Sequence, residues 1–119
     1  MLSYRFINET TLQNMLENEI ADKCCWHFHN VCNSFIVFSD NGTDIGLVEY
    51  KANNNDIFLE MIEVFRPFRG QSYGEKMIKL LQNNFSALRC VPIEKSESLF
   101  IRLGFKAEES CPQIWFWNK

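Results

Sequence analysis

The most legible chemistry lies in the run Val64-Phe65-Arg66-Pro67-Phe68-Arg69-Gly70-Gln71-Ser72-Tyr73-Gly74-Glu75-Lys76-Met77. An apolar strand leads into a turn of small residues, and the turn opens a helix. Small side chains let the backbone approach a ligand closely, and a helix start leaves several N–H groups without intrahelical partners. Together with the helix dipole, such a junction suits an anion, most naturally a phosphate or pyrophosphate. Arg69, at the mouth, adds a charge-assisted donor. A plain Arg-Gly turn has the same composition, so this segment alone leaves both readings open.

Other reactive groups stand in plainer settings. Glu60 interrupts Ile57-Phe58-Leu59-Glu60-Met61-Ile62, a strand otherwise apolar on both faces, where an acid is costly to bury without a role. Its competing reading is a cross-strand ion pair, for instance with Lys51, or an exposed place on the face. Cys90 is a nucleophile in principle, but a buried thiol is the ordinary occupant of an apolar strand. Cys24, Cys25, His27, His29 and Cys32 cluster thiols and imidazoles, yet lack the paired C-x2-C spacing of a structural zinc site. Free thiols and surface histidines describe them better, and no metal site is expected.

The elements that must position these groups follow from periodicity. A short strand over 3–7 precedes N-cap candidates at Asn8 to Thr11, and Leu12, Met15, Leu16 and Ile20 recur at helical spacing. The stretch 21–33 is ambiguous, with room for a second short helix. Strands over 34–39 and 44–51 flank Asp40-Asn41-Gly42-Thr43, a hairpin signal because Asn and Gly tolerate positive φ. A polar turn over 52–56 leads to a third strand over 57–64. Tyr73, Met77, Leu80, Leu81 and Phe85 describe an amphipathic helix. A strand over 86–92, a helix over 95–103 ending at Gly104, and a closing hairpin of 105–108 with 113–117 complete the chain. The order β-α-(α)-β-β-β-α-β-α-β-β predicts an α+β fold: a mixed, mostly antiparallel central sheet flanked by helices.

The chain of 119 residues, 46% hydrophobic and 14% aromatic, suits one domain over 1–119 with a packed core. A net charge of -3 argues against a general nucleic-acid binder and is compatible with a cationic partner. No apolar run is long enough to span a bilayer, and the N-terminal MLSYRFINETTL is too polar for a signal peptide. Five cysteines without an export signal indicate reduced thiols and a cytoplasmic setting. The run Ile114-Trp115-Phe116-Trp117 is apolar on both faces. Such a strand is one covered by a helix, a pocket wall or, as a sheet edge at the chain end, a subunit contact, and a homodimer contact is expected there.

Two segments carry a family resemblance. Arg69-Gly70-Gln71-Ser72-Tyr73-Gly74 resembles the coenzyme A signature of the GNAT N-acetyltransferases, R/Q-x-x-G-x-G/A. Ser96-Glu97-Ser98-Leu99-Phe100-Ile101-Arg102-Leu103-Gly104-Phe105 is similar to that family's later motif, an Ala or Ser followed by L-Y-x-x-L-G-F. The blocks stand in the family's order, with a strand between them and a β-meander before them.

The resemblance implies acetyl transfer from acetyl-CoA, as co-substrate, to an amine of a small molecule or protein by direct attack, and the ligand spacing, charge and hydropathy above predict no metal, nucleic acid or membrane. It places pantetheine against backbone groups of Ile62, Glu63 and Val64, where two strands splay. It places the pyrophosphate on Gly70, Gln71, Ser72, Tyr73 and Gly74, with the Arg69 side chain. A strand N–H near Ile62 or Glu63 would polarise the acetyl carbonyl. The amine must lose a proton, so a general base is needed, and Glu60 is favoured over Glu63. Three positions depart from the pattern. Ser72 replaces the first motif glycine, Phe100 stands where many members carry a thiolate-protonating tyrosine, and Ile93 falls near the usual asparagine. These departures raise the alternative of a degenerate domain that binds coenzyme A or a protein partner without turnover.

Overall fold

The computed structural model describes residues 1–20, 23, 34–53 and 56–119. The expected second helix, the Cys24 to Cys32 cluster, His27 and His29 all fall outside them. One seven-stranded sheet runs through the described residues. The strands are β1 (Leu2–Ile7), β2 (Ser34–Asp40), β3 (Thr43–Asn53), β4 (Asp56–Val64), β5 (Ala87–Cys90), β6 (Lys106–Ala107) and β7 (Trp115–Asn118). The helices are α1 (Glu9–Asn14), α2 (Tyr73–Asn84) and α3 (Glu97–Arg102). Across the sheet the order is β1-β2-β3-β4-β5-β7-β6, and β4 with β5 is its one parallel pair.

Local chemistry accounts for most boundaries. Asn8 caps α1, its side-chain oxygen accepting the Thr11 N–H at 2.8 Å. The expected continuation to Ile20 is present, but Met15–Glu19 is a π-helical turn. Asn41 and Gly42 both have positive φ, 52° and 86°, as a two-residue hairpin turn requires. β5 stops at Cys90 rather than at 92, because Pro92 has no N–H to give a ladder. The helix expected over 95–103 begins as a 3-10 turn, Glu94–Ser96, before α3.

Two apolar layers lie on opposite faces of the sheet. One packs Met77, Ile78 and Leu81 of α2 and Phe100 of α3 against Ile36, Val48, Leu59 and Leu88. The other packs Leu12 and Met15 against Phe35, Val37, Leu47 and Phe65. α2 sits very close to the sheet at Gly46, where a Cβ would meet Met77 Sδ at 2.7 Å and the Glu63 carbonyl oxygen at 2.8 Å.

The C-terminal strand corrects an expectation. β7 inserts between β5 and β6, so the sheet edges are β1 and β6. Trp115 and Trp117 pack against the first apolar layer. No open edge at 115–118 therefore remains to attract a second copy of the chain.

Candidate functional site

The site grows out of the two sides of β4. On the β3 side, pairing runs from Asn53↔Asp56 to Gly46↔Val64. It is interrupted once: Tyr50 pairs with Leu59 and Glu49 with Met61, so Glu60 is an extra, bulged residue. On the β5 side, pairing covers only Asp56↔Ala87 to Leu59↔Cys90. Beyond that point the bulge and Pro92 part the strands. A cleft of about 420 Å³ opens, walled by Leu59 to Ile62 and Val64 on one side and Cys90 to Ile93 on the other, with Phe100 among its lining residues.

A second cavity of about 290 Å³ adjoins it at the start of α2, lined by Val64, Phe68, Arg69, Gly70, Ser72 to Glu75, Leu99 and Arg102. Gly74 lines both cavities, and Val64 lies 3.9 Å from where a Gly74 Cβ would sit. The first intrahelical bond of α2 is from the Lys76 N–H to the Ser72 carbonyl, 3.2 Å. The N–H groups of Tyr73, Gly74 and Glu75 consequently have no acceptor within the helix. Gly70 has φ of 81°, and Ser72 has φ of 64°. A serine in the left-handed region is strained by roughly 1 kcal/mol, a cost that the glycine usual in this motif would not carry.

The expected site residues do not all face the same way. Ile62 and Val64 line the cleft. Glu63 lies opposite Leu47, on the face that packs under α1. Its carboxylate is 3.5 Å from an Arg69 terminal nitrogen and its side chain is only 11% exposed. Arg69 Nε donates to the Val64 carbonyl at 2.8 Å, which folds this arginine back along the end of β4. The Tyr73 hydroxyl donates to Asp40 at 2.5 Å, so its side chain tethers α2 to the β2–β3 hairpin. That hydrogen bond holds the Tyr73 phenol above its usual pKa.

Of the two readings left open for Glu60, a buried acid with a role and a cross-strand pair with Lys51, the geometry shows the pair. The bulge turns Glu60 out at the cleft wall, with a side chain 32% exposed and one oxygen 3.3 Å from Lys51 Nζ. The cross-strand pair with Lys51 is therefore present. Phe100 is buried and meets Phe105 edge-to-face at 5.0 Å between centroids. Burial pushes the Cys90 thiol up to about 12. It stays protonated at neutral pH and is a weak nucleophile.

Two features escaped sequence reasoning. Glu49 of β3 is a buried acid on the same face as Glu63 of β4. Arg102 reaches the second cavity from α3, and its position in the later motif was the available signal. No group of three or more potential metal ligands occurs among the described residues. None of their helices is long and apolar enough to cross a membrane.

A family model for the acetyltransferase (GNAT) family matches residues 4–105, and the chain belongs to that family. The ribosomal-protein-S18-alanine N-acetyltransferase from Escherichia coli has the same fold, with a TM-score of 0.63 at 13% identity over 99% of this chain and 94% of that one. The putative N-acetyl transferase YhhK from E. coli, bound to coenzyme A, gives a TM-score of 0.63 at 14% identity over 100% and 99%. AtaT complexed with acetyl-methionyl-tRNAfMet gives 0.63 at 12% identity over 99% and 95%. At such identities the likeness is one of fold. Comparison with curated protein sequences gives no match.

Proposed function

We propose that the protein transfers the acetyl group of acetyl-CoA to an amine by direct attack, acting as a single domain in the cytoplasm without a metal. One observation carries this reading. In a GNAT-family chain, β4 and β5 part around an apolar cleft that leads to unpaired N–H groups at the start of α2. The coenzyme would supply the acetyl thioester. Backbone groups of Ile62 to Val64 would hold the pantetheine arm in the cleft, and an N–H near Ile62 or Glu63 would polarise the carbonyl. The N–H groups of Gln71 to Gly74 would receive the pyrophosphate, with Arg69 turning from Glu63 toward it.

Glu60 is the better-placed base, because it stands at the cleft wall within reach of an acceptor entering from solvent. Glu63 faces the other side of β4 and would contribute its backbone. The protonated Cys90 favours direct attack over an acyl-enzyme. Phe100 offers no proton to the departing thiolate, but a thiol of pKa about 8.5 leaves tolerably without one.

The acceptor class spans small molecules, proteins and aminoacyl-tRNA. Related folds carry names that include a ribosomal-protein alanine and acetyl-methionyl-tRNA, so a charge of -3 does not exclude nucleic acid. A non-catalytic coenzyme-binding domain is the second reading. It is favoured by Phe100, which brings no hydroxyl to the cleft, and by the Lys51–Glu60 pair. Release of free thiol from acetyl-CoA in the presence of amines, peptides and aminoacyl-tRNA tests the choice. Turnover with any acceptor supports the enzyme; binding of coenzyme A with no turnover supports the second reading.

A further inference from the structure

The phosphate end of the site contains an arginine that the reading above does not use. Arg102 stands in the last turn of α3, across the second cavity from the Arg69–Gly74 loop. Its side chain is 62% exposed, and its Nε donates to Glu75 Oε1 at 3.0 Å. Glu75 is the third residue of α2, in the first turn, where unpaired N–H groups and the helix dipole favour an anion. The Arg102 hydrogen bond holds Glu75 below the usual carboxylate range. On the other side of the cavity, Arg69 lies against Glu63. Each guanidinium that lines the cavity is thus engaged by one of the protein's own carboxylates.

We propose that Arg102 is a second phosphate-binding arginine of the coenzyme site and that Glu75 is its internal competitor. The pyrophosphate takes the guanidinium that Glu75 holds while the site is free. This rests on the coenzyme reading above. An exposed Arg–carboxylate pair holds its partners weakly, whereas a guanidinium grips a phosphate with two parallel charge-assisted bonds. The exchange also moves Arg102 no farther than across a cavity it already lines.

A purely structural brace between α2 and α3 is the rival account. A second link of that kind exists, since Gln82 Nε2 donates to the Leu103 carbonyl at 2.9 Å. The two accounts differ in sign. If the pair is a brace, removing either partner loosens α3 and weakens coenzyme binding. If Glu75 competes, removing it strengthens binding while removing Arg102 weakens it.

Calorimetric titration with coenzyme A and with 3′-dephospho-coenzyme A decides between them, using the wild type, Arg102→Gln, Arg102→Lys and Glu75→Gln. Arg102→Gln should weaken binding roughly tenfold or more, the usual worth of a charged hydrogen bond. Arg102→Lys should recover part of that loss. Glu75→Gln should tighten binding roughly threefold, in line with an exposed pair. The Arg102→Gln loss should be the same for both ligands, because the pyrophosphate is common to them. Melting of each variant without ligand checks that it is folded. Weaker binding by both Arg102→Gln and Glu75→Gln, or unchanged affinity of Arg102→Gln, overturns the proposal. So does a loss confined to coenzyme A, which would assign Arg102 to the 3′-phosphate. If the wild type binds neither ligand, the coenzyme reading itself falls and this proposal with it.

Discussion

β4 has two neighbours and treats them differently. Against β3 it is paired along its whole length, with one bulge at Glu60. Against β5 it is paired for four residues and then abandoned. Unpaired strand edges are ordinarily avoided, because buried backbone donors and acceptors need partners and exposed ones invite other strands. Here the open edge lies inside the molecule, facing an apolar cleft, with α2 and α3 nearby to wall it. The closed side supplies rigidity, and the open side borders the cleft. The bulge belongs to both, since one extra residue on the closed side turns the strand away on the open side.

The comparison can be broken most severely from the closed side. A Cβ at Gly46 would press on the Glu63 carbonyl as well as on Met77, and backbone cannot move aside cheaply. Gly46→Val should therefore destabilise the fold by about 3 kcal/mol, read as a lower denaturation midpoint. On the open side, the corresponding change should spare stability and remove binding. A Cβ at Gly74 fits, but the branches of valine would intrude where the two cavities meet. Acetyl-CoA should raise the melting temperature of the wild type and leave that of Gly74→Val unmoved.

Smaller effects sharpen the contrast. Phe100→Tyr places a hydroxyl in the cleft and should raise kcat, by up to roughly 10² where protonation of the thiolate limits the rate, with little change in coenzyme affinity. A gain in affinity without a gain in kcat would place Phe100 elsewhere in the cycle. Cys90 marks the last paired position of β5, and its thiol is neutral in the folded protein well above its ordinary range. The unfolded chain ionises first as pH rises, so this contribution is complete below about pH 9 and is lost between there and about 12. Denaturation across that interval should show a declining stability that is shallower in Cys90→Ala.

What was legible in the sequence was local. Asn41-Gly42 announced a hairpin because each residue can take positive φ, and both do. Arg69 to Gly74 announced an anion-suited turn because small residues preceded a helical period. What was not legible depended on distant counts. The pair of Glu60 with Lys51 was among the readings the strand allowed, but the bulge that turns the acid out exists only relative to Glu49 and Tyr50 and has no signal in its own strand. β7 looked like an edge because it comes last in sequence, yet β6 lies outside it. Glu75 and Arg102 are 27 positions apart, and only the packing of α3 beside α2 brings them together. The left-handed backbone at Ser72 was hidden because the residue there is not glycine.

The central claim is that the open side of β4 and the start of α2 together receive coenzyme A. Backbone amide shifts followed by NMR during a coenzyme A titration test it directly. The largest changes should fall on Ile62 to Val64 and on Gln71 to Glu75. The N–H groups of Ile36 and Val48, on the closed part of the sheet, should barely move. Saturable changes centred instead on the cavity lined by Arg89, Phe116 and Trp117, or no changes at millimolar coenzyme A, would contradict the account.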